Sequence, residues 1–379
     1  MRRNLLFIAG LAAALTVTAC QDQSQKNDLT GPSLGAKKQP TQFSRGTTLR
    51  RLPRGARVSD LAIPGRAVVP TTCDDNTPFV QYFLNRAFEI PLPSLILLLN
   101  RFADLVPTYE ALLFETRNRQ TFFGYDGSYT QRMTKVERDV KKFWDIQSAD
   151  IQVLAMHGTV LADPGRTVPT YENPAFLGLD AATAQAWAAD VQNVIQTEPT
   201  TNGGNHPLFT FNAFAISAPQ LGIPDKIVMG DGVLDAYAAL GFDDVAPQAV
   251  FSHEFGHHIQ FERNYFDELP PGADPATVDQ PERTRHNELM ADAFAGYYLT
   301  HKRGAALNAK RVAQFLEVFF QAGDCAFTNP GHHGTPVQRM RASQFGFTVA
   351  HEAQKQGHIL TAAQFHARFE AAYTSLVAP

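Results

Sequence analysis

Residues 251–260 read Phe-Ser-His-Glu-Phe-Gly-His-His-Ile-Gln, and the architecture of the chain turns on them. His253 and His257 are four residues apart, so on a helix they share one face, about 40° apart in rotation and about 6 Å in rise. Two imidazoles so placed can hold one zinc ion. Glu254 directly follows the first of them, where its carboxylate reaches a water beside the metal rather than the metal. Asp243 and Asp244 offer N-caps for such a helix. Pro247 suits its first turn, and Ala249, Val250 and Ile259 supply apolar positions.

A catalytic zinc needs three protein ligands and one open position. Thirty residues after His257 the chain reads Asn-Glu-Leu-Met-Ala-Asp-Ala-Phe-Ala-Gly, from Asn287 to Gly296. Glu288 is the third ligand expected here. Asp292 lies one turn later on the same face, placed to accept the remaining ring N–H of a ligating histidine and so fix its tautomer. Ala291, Ala295 and Gly296 are small, which lets this helix approach the histidine helix closely. One zinc ion per chain is the expectation. His258 and His332 read as neighbours of the site, because adjacent residues on a helix point about 100° apart.

The order HEFGHHIQ, then ELMADAFAG, then His333-Gly334-Thr335-Pro336-Val337-Gln338-Arg339 resembles the gluzincin metallopeptidases, in particular the neutral zinc metallopeptidases. Upstream, Lys226 to Gly232 (KIVMGDG) and Phe211 to Phe214 (FNAF) are similar to the strand and edge strand of thermolysin-like enzymes. The resemblance covers about residues 208–347; residues 21–200 match no family in this way. It implies an α+β, zincin-like fold: a small mixed sheet backed by helices, an active-site helix, and a helical half from Ala246 onward. It implies that His253, His257 and Glu288 bind zinc while Glu254 acts as general base. Asn212 and Ala213 would pair with an extended peptide by strand addition. His333, or Arg339 behind it, would stabilise the developing oxyanion. One departure concerns tyrosine. Thermolysin-like enzymes place one shortly after the histidine helix, whereas Tyr265 has a different offset here, and Tyr297 and Tyr298 compete with it.

Composition sets the wider frame. The chain has 379 residues, 44% hydrophobic and 18% charged, with 28 Phe, which excludes a mainly disordered polypeptide. Three cysteines exclude a disulfide-dense miniature scaffold. A net charge of −4 leaves no basic footprint for nucleic acid.

At the N-terminus, Arg2 and Arg3 precede an apolar run from Leu5 to Val17, too short to span a bilayer as an ordinary helix. The run ends in Val17-Thr18-Ala19-Cys20, which resembles the lipobox of bacterial lipoproteins. That resemblance implies cleavage of residues 1–19, a lipid on Cys20 and attachment to a membrane of the cell envelope. The outer membrane is favoured, since Gln21 stands where inner-membrane retention would call for aspartate. The remaining 360 residues would carry a balance of −6. Cys73 and Cys325 are then the two cysteines left to pair in an oxidising compartment, though sequence cannot place their Cα atoms.

Residues 20–67 read as a polar tether, 68–200 as helices plus part of a sheet, and 201–379 as the region that carries the chemistry. Helices are expected over Thr130–Phe143 and from Ala181 to Ile195, and a strand over Ile151–Met156. Three functional classes follow. One is a lipid-tethered zinc peptidase acting on peptide or protein. A second is a zinc-bearing binding or assembly lipoprotein without turnover. The third is a zinc hydrolase of a non-peptide bond. Glu254 speaks against the second, because losing that one carboxylate is the simplest route to a silent site.

Overall fold

Strand β3 (Ile223–Gly230) is the central strand of a three-stranded sheet. Its last five residues, Lys226 to Gly230, are buried, as befits a central strand with neighbours on both sides. β1 (Gln152–Met156) runs parallel to it with Val153 opposite Ile227. β2 (Ala213–Ala218) runs antiparallel with Phe214 opposite Val228, and forms an edge of the sheet. The molecule is thus α+β with a small mixed sheet. This computed structural model describes residues 73–378 except 121, 274, 276, 277 and 357. The leader expected over 1–19, the lipid site Cys20 and the tether over 20–67 lie outside the described residues.

Ahead of the sheet come α1 (Pro78–Ala87), α2 (Leu92–Asn100), α3 (Val106–Leu113) and α4 (Thr130–Phe143). Between β1 and β2 lie α5 (Pro164–Glu172) and α6 (Ala181–Thr197). Apolar side chains of α1, α2 and α6, among them Phe83, Leu95, Leu98, Ala184 and Val191, form one core cluster with Leu208 and Phe209. β3 continues directly into α7 (Asp231–Ala239). From there on the described residues contain helices only: α8 (Ala246–Arg263), α9 (Gln280–Thr300), α10 (Ala309–Gln321), α11 (Pro336–Gln356) and α12 (Ala362–Leu376).

Two buried polar links lock the sheet to its helices. Lys226, 2% exposed, donates from Nζ to the carbonyls of Ala111, Leu112 and Glu115, closing the C-terminal end of α3. The backbone carbonyl of the same residue accepts from His258 Nε2 on α8. His258 is therefore a structural neighbour that ties α8 to β3.

Several local expectations need correction. The N-cap of α8 is Val245, with no side-chain cap. Asp244 pairs instead with Arg132 and Arg311. Phe211 and Asn212 precede β2 rather than belong to it, although Gly230 N still donates to the Asn212 carbonyl. Gly296 does not face the histidine helix. A side chain there would meet the Ser343 backbone of α11. The close approach between α8 and α9 is made by Gly256, where a Cβ would lie 2.9 Å from Cα of Ala291.

Candidate metal centre

On α8, His253 and His257 turn the same way, and each ring is held from behind. Asp292 Oδ1 on α9 lies 2.8 Å from His253 Nδ1, and Gln260 Oε1 lies 2.8 Å from His257 Nδ1. Both partners are acceptors, so both Nδ1 atoms carry the proton and both Nε2 lone pairs point inward. Gln260 is fixed in turn, since its Nε2 donates to the Asn287 carbonyl.

The two inward Nε2 atoms are 3.2 Å apart. Glu288 from α9 completes the group, with Oε2 3.2 Å from His253 Nε2 and Oε1 3.4 Å from His257 Nε2. All three residues are buried, and together they could hold a metal ion. Three electron-rich atoms facing one another in a dry site repel unless a cation or a proton lies between them. Donors about 2.0–2.2 Å from a tetrahedral ion would sit about 3.3–3.6 Å apart, close to these separations. The donor set therefore fits a metal. Without one, a proton takes its place. Burial opposes charge on His253, but the Asp292 and Glu288 carboxylates outweigh it and push the imidazole up to about 10. Burial likewise opposes ionisation of Glu288, but the nearby His333 and the two ligand histidines hold its carboxyl well below the usual range.

Asp292 does more than orient His253. Arg339 on α11 grips it with both arms, Nε to Oδ2 at 2.8 Å and Nη2 to Oδ1 at 2.7 Å. Arg339 thus acts behind the histidine, through Asp292, with its guanidinium also 3.7 Å from Glu288 Oε2. Glu254 is 5% exposed, and its Oε2 has no hydrogen-bond partner among the described residues. Burial pushes its carboxyl above the ordinary value.

The group lines a cavity of about 280 Å³. Asn212, Ala213, His253, Glu254, His257, Glu288, His333 and Arg339 all border it, so the cavity gathers residues that are scattered over 128 positions of sequence. Tyr265, Tyr297 and Tyr298 do not border it. Tyr265 stacks on His366, the Tyr297 hydroxyl accepts from Leu360 N, and Tyr298 packs against Phe143. Of the oxyanion-donor candidates named from the sequence, the structure brings His333 and Arg339 to the cavity. The His333 ring is held by Asp324, with Oδ2 3.1 Å from Nδ1. His332 turns to the other oxygen of the same aspartate.

Two features escaped the sequence reading. Asp324 carries no motif, and only its position beside Cys325 marks it. Cys73 and Cys325 form a disulfide with Cα atoms 5.6 Å apart, which fastens the start of the described chain next to that aspartate. The second feature is an aromatic wall. Phe79 of α1 lies 4.6 Å from Phe211 and 4.5 Å from Tyr237, centroid to centroid, and all three line the cavity. Helix spacing marks Phe79 and Phe83 as one apolar face, but nothing in the sequence says which cavity that face lines.

Comparison of the chain with protein-family models, curated proteins and solved structures returns no match in any of the three. The reading of the centre therefore rests on its own geometry and chemistry.

Proposed function

We propose that the chain is a zinc-dependent peptidase of the gluzincin kind, with a zincin-like catalytic region. The observation that carries this reading is the convergence of His253, His257 and Glu288 beside a buried carboxylate, Glu254, whose Oε2 has no partner among the described residues. Zinc is favoured over harder cations because two of the three donors are imidazoles. A zinc ion held there supplies Lewis acidity to the attacking water and to the scissile carbonyl.

Glu254 accepts a proton from the attacking water and returns it to the departing amine. His333, oriented by Asp324, donates to the oxygen on which negative charge develops. The outer edge of β2, beginning at Ala213 on the cavity rim, offers main-chain groups to an extended peptide. The wall formed by Phe79, Phe211 and Tyr237 favours a large apolar side chain next to the cleaved bond. Attachment to the cell envelope through Cys20 belongs to the same reading and rests on residues 2–20 alone.

The deciding experiment compares wild type with Glu254→Gln on casein, with zinc content measured in parallel. The variant should keep its zinc and lose hydrolysis by at least about 100-fold, the usual scale of a general base. Cleavage at the wild-type rate would remove Glu254 from the mechanism. Full zinc with no cleavage of protein or peptide by the wild type would favour a binding lipoprotein or a non-peptide substrate.

A further inference from the structure

On the far side of α9 the structure gathers a second set of metal-type donors. His366 and Glu370 stand four residues apart on α12, and Glu268 reaches them from the segment that follows α8. Their donor atoms all lie within 4.8 Å of one another. Glu268 Oε2 is 3.1 Å from His366 Nε2, and Glu370 Oε1 is 3.3 Å from it. These separations nearly repeat those of the first centre.

Three further observations point to a ligand. His366 Nε2 is itself buried, yet neither carboxylate oxygen lies where a ring N–H would form a hydrogen bond with it. Oxygens that flank the ring axis at contact distance suit a cation on that axis. Glu370 is held from behind by His286 on α9, whose Nε2 lies 2.9 Å from Oε1 and whose Nδ1 has no partner among the described residues. A histidine that donates to a carboxylate ligand repeats, with the roles exchanged, the outer support seen at His253. Finally, Tyr265 stacks face to face on His366 with centroids 3.8 Å apart, which fixes the ring plane.

We propose that Glu268, His366 and Glu370 bind a second divalent metal ion of the zinc class. One imidazole and two carboxylates neutralise a dication and suit zinc better than calcium or magnesium. The ion would pin the segment between α8 and α9 to α12. Those two helices carry all three donors of the first centre, so the second ion acts as a staple on the catalytic frame, not as part of the chemistry. The chain then takes two ions where the sequence alone counts one.

The inference stands apart from the peptidase reading, and one set of measurements separates them. The full chain is stripped of metal, reloaded with Zn²⁺ alone, freed of excess and analysed for zinc per chain. Wild type should hold about two equivalents and His366→Ala about one. Glu288→Ala should also hold about one, and lose it when His366→Ala is added. Glu268→Gln changes a side chain that is 43% exposed and so tests the site without threatening the fold. In a competition titration with a chelator its second equivalent should bind at least about 10-fold more weakly. Co²⁺ loading should give a second visible absorption component that His366→Ala removes. A wild type holding a single equivalent that depends only on Glu288 would overturn the proposal. So would His366→Ala or Glu268→Gln retaining the wild-type content and affinity.

Discussion

Asp292→Asn separates the supporting layer of the first centre from the ligands themselves. Asp292 has no solvent exposure, and its two oxygens serve His253 Nδ1 at 2.8 Å and Arg339 at 2.7 and 2.8 Å. Asparagine keeps the shape but removes the charge, and it turns one acceptor into a donor that faces a guanidinium. Stripping one partner from a buried ion pair costs about 3–5 kcal/mol. The low end applies, because Glu288 Oε2 remains 3.7 Å from Arg339 and shares its charge. At about 2–4 °C per kcal/mol, a loss of about 3 kcal/mol lowers the melting temperature of the metal-free protein by about 6–12 °C. Zinc affinity should fall about 10- to 100-fold as His253 loses the carboxylate that raises its basicity. Melting in chelator and zinc competition measure the two effects. Adding Arg339→Met to Asp292→Asn should restore part of the stability, since the guanidinium is then no longer buried without its Asp292 partner, but not the affinity. The reasoning fails if Asp292→Asn melts with wild type and binds zinc as tightly.

Gly256→Ala should cost about 1–3 kcal/mol and weaken zinc binding, because its Cβ would press on Cα of Ala291 and part the two ligand-bearing helices; the chelator titration and melt above measure both. His206 gives a pH signature. Burial, with Arg86 nearby, lowers its pKa from 6.5 to about 4, and the neutral ring meets Arg86 O through Nε2 while Nδ1 accepts from Leu208 N. Between those pH values the unfolded chain binds a proton that the folded chain refuses, so stability falls as pH falls, by up to a few kcal/mol. His206→Gln should flatten that part of the acid limb in urea melts. Replacing both Cys73 and Cys325 by serine should lower stability by up to about 5 kcal/mol, the chain-entropy ceiling for so long a loop, with reducing agent reproducing the effect on wild type.

The parts of the centre legible in the sequence are those with short-range geometry. A helix brings residues three and four apart to one face, so the pairing of His253 with His257 is a local fact, whereas the support of His257 by Gln260, equally local, went unread. Asp292 follows Glu288 by the same rule. The span Thr130–Phe143 was readable from its strong amphipathic spacing. What was not legible depends on distance in sequence. Asp243 and Asp244 look like caps by composition, but Arg132 and Arg311 arrive from elsewhere and claim Asp244. The three tyrosines were rivals only while their surroundings were unknown, since a hydroxyl's role depends on the cavity it faces. Gly296 shows the same limit, because smallness marks a close approach without naming the partner, and the partner is α11.

Charge explains why so much of the chain is spent on supporting one small group. Glu254, Glu288 and Asp292 bring three carboxylates into a buried site where Arg339 is the cation that meets Asp292 and Glu288. With both histidines neutral, that leaves two negative charges uncompensated, a state the dry interior resists. One relief is a proton on His253, which the raised value of about 10 expresses. The other is a dication, which meets all three donors at once and restores neutrality. Proton and metal compete for the same Nε2 lone pairs, so zinc binding must weaken as pH falls. The supporting layer decides that competition. Asp292 and Gln260 keep protons on the two Nδ1 atoms, and Arg339 holds Asp292 in place behind His253, which leaves Nε2 as the face open to metal. The same logic, with one carboxylate ligand held by His286, recurs at Glu268, His366 and Glu370 on the opposite side of α9.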